Sequence, residues 1–317
     1  MAITNGLIWK NFSTRRLALA LLNPPELRVS VLLLVTSYLA SKRGGRDQRE
    51  RVLDAVAPPS LVRGTTDIDA LQRDVRLNIR AGVTIGLFLE DKGEVALAPG
   101  AAKALKGGTE TFVAHLRSLI LAPAVNEAPW GRQIGARDLT SAVAWFLMFS
   151  PAEAPQQMDG AEPSAFTLQE RDFGPRIGED DETNWPIGAV ARWRTFEGWV
   201  CALGFAWRSP TGALVPDPTP AVRAVLPAIL SKGKVLTASA FVDAVCSEVP
   251  VVDRGAYSEF VRANQREPRS EDRLTAALSE AILRLRIEKI IETENRADAP
   301  RLSLFDGTTF SHVRGMR

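Results

Sequence analysis

Residues 69–97 constrain the fold most, because a helix with two chemically distinct faces runs there directly into a β-hairpin. At about 100° per residue, Arg73, Arg76 and Arg80 fall within about 60° of one another, while Leu71, Val75 and Ile79 gather on a separate face. Immediately afterwards Ile85, Leu87 and Leu89 alternate with Gly86 and Phe88. Asp91, Lys92 and Gly93 then form a turn, and Val95 and Leu97 alternate on the return. Helix followed by hairpin is the linear order of a winged helix-turn-helix. In that arrangement the apolar side of the helix seals a three-helix core and the arginines face outward.

The flanking sequence supplies the rest of such a unit. The apolar run at residues 29–40 is shorter than the roughly 20 residues a bilayer span needs, and Arg28 borders it, so it reads as a core helix beginning near Glu26. A second helix at residues 48–56 carries Val52, Leu53 and Val56 before Pro58 and Pro59 stop it. Thr66 or Asp67 is available to cap the third.

Helices follow at residues 100–105, 110–121 and 138–149, the last with Leu139, Val143, Phe146 and Leu147 at helical spacing. Residues 151–186 are rich in proline and glycine and read as an irregular linker. A helix bearing Trp193, Phe196, Trp199 and Leu203 then precedes a second hairpin, with its turn at residues 209–212. Helices at residues 220–230, 238–247 and 271–290 end in a third, in which Ile290 and Ile291 face Leu302 and Leu304 across a polar turn at residues 295–300. One recurring unit explains all three occurrences. The expected fold is mainly α with small β-hairpins, arranged as tandem winged helix-turn-helix lobes. Residues 1–150 form an N-terminal lobe with added helices, 151–186 the linker, and 187–317 a C-terminal winged-helix-like lobe.

With 39 basic against 37 acidic side chains and a net charge of +2, the chain has no global cation excess, so any nucleic-acid contact must be local. Arg73, Arg76 and Arg80 are grouped for the groove of a duplex. Lys42, Arg43 and Arg46, with Arg49 and Arg51, are placed to contact flanking backbone, and Lys92 sits at the tip of the wing. The plainer alternative is a solvated helix in which Asp69 pairs with Arg73 at i,i+4. In the C-terminal lobe Arg284, Arg286, Lys289 and Arg296 are interleaved with Glu280, Glu288, Glu292 and Glu294, the pattern of a wet face or a subunit interface.

No complete catalytic motif is present. Cys201 and Cys246 are too few and too far apart for a disulfide framework or a metal knuckle, which fits a reduced cytoplasm. Thr14, Arg15 and Arg16 start a twin-arginine pattern that Pro24 and Pro25 interrupt. The acidic group Glu179, Asp180, Asp181 and Glu182 reads as a solvated loop, and His115 and His312 lack partners at metal-ligand spacing. Gly233 and Lys234 lack the earlier glycine and the hydroxyl residue of a phosphate loop. Trp145, Trp193 and Trp199 lie on apolar helix faces, whereas Trp130 and Trp185, in proline- and glycine-rich stretches, are the two open to exposure and base stacking. No cofactor, metal site or membrane association is expected.

Three strings carry a resemblance: residues 58–61, the run Arg137-Asp138-Leu139-Thr140 continuing to Ala144-Trp145-Phe146-Leu147, and Arg296-Ala297-Asp298-Ala299-Pro300. They resemble DpdG-type proteins, found in gene clusters that install and police 7-deazaguanine derivatives in bacterial DNA. The resemblance implies an accessory component of a phage-defence or restriction system, beside separate enzymes for nucleotide hydrolysis and DNA cleavage, with no catalytic residues to carry over. The expectation is a non-enzymatic DNA-binding or scaffold subunit whose partners are DNA and other subunits of a defence complex. A dimeric transcription regulator and a metal-dependent nuclease built on Asp180 and Asp181 are the alternatives.

Overall fold

The computed structural model describes residues 19–23, 26–61, 67–178, 182–267 and 273–316. The first part of the chain runs α1 (Val29–Ala40), β1 (Arg46–Gln48), α2 (Arg49–Val56), α3 (Ile68–Thr84), β2 (Phe88–Asp91) and β3 (Glu94–Leu97). Strand β3 is central and antiparallel to both neighbours, giving the order β1-β3-β2 with Gln48 and Asp91 on either side of Glu94. Leu32, Val35 and Leu39 of α1, Val52 and Leu53 of α2, and Val75 and Ile79 of α3 are buried together. The Asp67 carboxylate caps α3 by accepting the Asp69 N–H at 2.9 Å. Buried Asn78 fastens α3 to the start of α1: its side chain accepts the Arg28 N–H at 2.8 Å and donates to the Glu26 carbonyl at 3.0 Å. Lys92 and Gly93 both adopt positive φ, as a two-residue hairpin turn requires.

The middle of the chain contributes α4 (Ala101–Lys106), α5 (Thr109–Ile120), α6 (Arg137–Phe146), α7 (Ala165–Phe173), α8 (Val190–Ala202), β4 (Ala206–Arg208) and β5 (Leu214–Pro216), the two strands forming one hairpin. Helix α6 is buried from Asp138 to its end and packs on α8. The last part runs α9 (Thr219–Ile229), β6 (Val235–Thr237), α10 (Ala238–Glu248), α11 (Ala256–Arg262), α12 (Ala276–Ile287), β7 (Ile291–Glu294), β8 (Leu302–Ser303), β9 (Thr309–Phe310) and β10 (His312–Gly315). Here β10 is central, in the order β6-β10-β7. The succession helix, strand, helix, helix, hairpin and the strand order of the first sheet are thus repeated, with α11 and the β8-β9 ladder as insertions.

Three helix-to-strand junctions are built alike. After α3, α8 and α12 the chain places one residue in the left-handed region: Gly86 (φ 77°), Gly204 (φ 73°) and Lys289 (φ 55°). The next residue donates its N–H back into the last helical turn, Leu87 to Gly82, Phe205 to Val200 and Ile290 to Leu285. This bond satisfies a carbonyl that the helix end leaves free. The carbonyl of that same residue then accepts an N–H from the far end of the returning strand, from Ala98, Asp217 and Met316 respectively.

The structure corrects four details of the expected fold. Ile85 and Leu87 are buried in the first junction, ahead of the strand, so within β2 it is Phe88 that faces the core while Leu89 is exposed. Strand β7 pairs with β10 and not with the segment holding Leu302 and Leu304, which belongs to the inserted β8-β9 ladder. Residues 151–186 contain α7, and Ala154, Phe173 and Trp185 join the buried core, so this stretch is not irregular throughout. Trp185 is buried with its indole N–H on the Gly174 carbonyl at 2.8 Å, and Trp130 is half-buried against Phe173 and Phe260. Among the described residues no helix is long and apolar enough to cross a membrane. Thr14 to Leu19 fall outside the described residues except for Leu19.

Candidate nucleic-acid interface

Helix α3 carries Arg73, Arg76 and Arg80 on its exposed side, opposite buried Val75 and Ile79. They border a groove of about 240 Å³ between α3, the start of α2 and strand β2, whose remaining walls are Leu77, Ile79, Arg49 and Glu90. Arg76 leans on Gln72 at 3.4 Å, and Gln72 in turn donates to Asp54 of α2 at 3.1 Å. Arg73 and Arg80 make no ion pair among the described residues, and Asp69 does not pair with Arg73. The charge of Arg73 acts instead on neighbouring Asp74. The Asp74 carboxyl lies above its ordinary range because of burial and of Glu26 nearby, with Arg73 and Arg28 opposing the rise.

Arg49 enters this groove from the first residue of α2. Its N–H donates to the Gly93 carbonyl at 2.8 Å, which sets the start of α2 against the turn that carries Lys92. Its guanidinium donates through Nη1 to Glu90 Oε1 at 3.0 Å, while its Nε is buried without a hydrogen-bond partner among the described residues. The Glu90 side chain is only 14% exposed. Glu90 follows Phe88 by two residues, so β2 turns both toward the core. In the sequence the alternation of Ile85, Leu87 and Leu89 sets Glu90 on the other face, so its core-facing position, and with it the Arg49–Glu90 pair, emerges only from the strand as folded.

The other expected contacts are dispersed. Exposed Lys92 stands at the hairpin tip. Arg46 pairs with Glu94 at 3.4 Å on the sheet face opposite buried Val95. Lys42 lies over the Tyr38 ring at 4.4 Å, and Arg43 is exposed, both preceding β1 at the end away from Arg49. Tyr38 donates its hydroxyl to Asp47 at 2.8 Å and, with the Gln48 N–H, holds that carboxyl below its usual range. Arg51 pairs with Asp47 at 3.5 Å.

Counting back from the matched junctions, Ala191, Arg194 and Gly198 of α8, and Ala276, Ser279 and Leu283 of α12, take the places of Arg73, Arg76 and Arg80. The α8 set is exposed and carries one charge. The α12 set is covered: Ser279 Oγ accepts the Phe305 N–H at 2.9 Å, the Leu274 N–H reaches the Ser303 carbonyl at 3.0 Å, and Ala276 and Ser279 are buried. Three nearby cations are matched, Arg284 by Asp217, Arg296 by Glu294 and Arg223 by Glu288, while Arg286 and Lys289 are exposed and make no ion pair among the described residues. Glu182 pairs with Arg132, while Glu179, Asp180 and Asp181 lie outside the described residues.

The family model of DpdG-like proteins matches residues 19–299. The chain belongs to the DpdG-like family. No curated protein and no solved structure matches it. The DpdG-like region contains the first two helix-to-strand junctions, the helix end of the third and the whole arginine-lined groove, and it ends at Ala299 before β8 and before Met316, which closes the third junction.

Proposed function

We propose that this DpdG-like chain is a non-enzymatic DNA-binding or scaffold subunit of a bacterial system that modifies DNA with 7-deazaguanine derivatives and restricts DNA lacking them. In this reading the first unit is a winged helix: α2 and α3 form the helix-turn-helix, β2 and β3 the wing, and α3 lies along the major groove. The observation that carries it is the exposed arginine row of α3, in which Arg73 and Arg80 make no ion pair among the described residues, beside Arg49 and Lys92. Family membership supports a place among the several proteins of such a system.

The test is the affinity for duplex DNA over a salt series, for the wild type and for an Arg73→Ala/Arg76→Ala/Arg80→Ala variant. Deleting one phosphate-binding cation flattens the log-log salt slope by about one unit, so a change of about two to three units is expected. Equal affinity and slope in the two proteins would remove DNA contact by this face.

A further inference from the structure

We infer that Arg49 is a fourth phosphate-contacting arginine, and that Glu90 holds it in reserve until a DNA backbone phosphate takes the place of the carboxylate. The inference rests on the nucleic-acid reading of the α3 face. Arg49 and Glu90 line the same groove as Arg73, Arg76 and Arg80, so its walls carry four guanidinium groups and one carboxylate, with exposed Glu50 a second carboxylate 3.6 Å from Arg49. That excess of positive charge is complementary to an anion, and a duplex lying along α3 presents one as its backbone phosphate.

Arg49 is incompletely satisfied where it stands. One nitrogen, Nη1, donates to Glu90, Nη2 comes no nearer than 3.6 Å to Glu50, and Nε is buried with no partner among the described residues. A phosphate can accept two parallel N–H bonds from a guanidinium fork, which a side chain gripped through one nitrogen does not make. Moving from Glu90 to phosphate therefore gives the orphaned donor an acceptor. The place is fixed by backbone, because the Arg49 N–H is bound to Gly93 beside the turn. Arg49 thus bridges the α3 face and the wing, where a duplex lying along α3 brings its backbone.

The experiment is a double-mutant cycle on duplex DNA of about 20 base pairs across about 50 to 200 mM salt. It uses full-length wild type, Arg49→Ala, Glu90→Gln and the double variant, with thermal melting to show that each is folded. The α3 triple-alanine variant runs alongside. Arg49→Ala is expected to flatten the salt slope by about one unit. Glu90→Gln is expected to tighten binding several-fold, and that gain should vanish in the Arg49→Ala background. An equal gain in both backgrounds would make Glu90 a repelling charge and overturn the exchange. If Arg49→Ala leaves the slope intact while the triple variant flattens it, Arg49 is not a contact although the α3 reading stands. If the triple variant has no effect, the α3 reading itself falls. Should Arg49→Ala prove unfolded, Arg49→Lys keeps the charge without the fork, and weaker binding there supports two-pronged contact while unchanged binding overturns it.

Discussion

Asp138 is the residue on which the start of the described chain depends. Its carboxylate is fully buried in α6 and accepts the N–H groups of Leu21 at 3.1 Å, Leu22 at 2.6 Å and Leu139 at 2.7 Å. Burial pushes its pKa up to about 6, although those three N–H bonds and the charge of Arg192 favour the ionised form. A raised carboxyl pKa means that the folded state holds a proton the unfolded state releases. Stability linked to Asp138 is therefore greatest below the unfolded value of 3.8 and is lost as pH rises to about 6. A shift of roughly two units corresponds to about 3 kcal/mol. Asp253, also fully buried, shifts in the same direction. Comparison with Asp138→Asn isolates the Asp138 contribution: the wild-type melting temperature should fall from pH 4 to pH 6.5 more steeply than that of the variant. The variant has one acceptor oxygen in place of two and is less stable at every pH, so the slope is the readout. Parallel slopes would show that Asp138 has the same pKa folded and unfolded.

At the scale of the element, the three junctions share a backbone path but not the same ease of following it. Gly204 needs to be glycine twice over: its φ is 73°, and an added Cβ would meet Pro220 Cβ at 2.9 Å. Gly86 has the same conformation with open space around it, while Lys289 bears a side chain in a left-handed conformation. A left-handed non-glycine residue costs about 1 to 2 kcal/mol. Gly204→Ala should therefore lower stability by more than Gly86→Ala, and Lys289→Gly should raise it by about 0.5 to 1 kcal/mol. Shifts of the urea midpoint at constant m check all three, and a drop in stability in Lys289→Gly would contradict the strain argument. The succession of helix and hairpin is legible in the sequence because it is local, but the junction residues are not: Ile85 and Leu87 read as strand by their alternation, and α12 ends at Ile287 while its apolar pattern runs on to Ile290. The pairing of β7 is not legible either, since its partner β10 lies beyond an insertion and Leu302 and Leu304 offer a nearer apolar match. The α3 arginine row is readable from spacing alone. The place of Arg49 depends on strand pairing that brings Gly93 and Glu90 to the start of α2, and local periodicity does not encode that.

Across the whole molecule the three helix-and-hairpin units differ in what the helix before the hairpin presents. The first exposes an arginine row, the second an almost uncharged strip, and the third is covered by its own inserted β8-β9 ladder. A continuous buried core from Leu21 to Val313 joins them. Within it the Arg117 guanidinium of α5 donates to the Leu203 carbonyl at 2.9 Å at the second junction, and Tyr257 of α11 donates to the Leu121 carbonyl at 2.7 Å. Basic residues in the first and third units should therefore answer to different measurements. Arg284 pairs with Asp217, whose side chain is only 7% exposed, and Arg286 is exposed near Asp306 of the inserted ladder. Removing Arg284 leaves a largely buried carboxylate short of its partner, so Arg284→Ala/Arg286→Ala should lower stability by about 1 to 3 kcal/mol. Its salt slope for duplex DNA should stay at the wild-type value. The α3 triple-alanine variant should behave in the opposite way, with a flatter slope and a nearly unchanged melting temperature, because its three side chains are exposed and only Arg76 has a hydrogen-bond partner among the described residues. A flatter slope in the Arg284/Arg286 variant would mean that the β8-β9 ladder gives way to DNA and that nucleic-acid contact is not confined to the first unit.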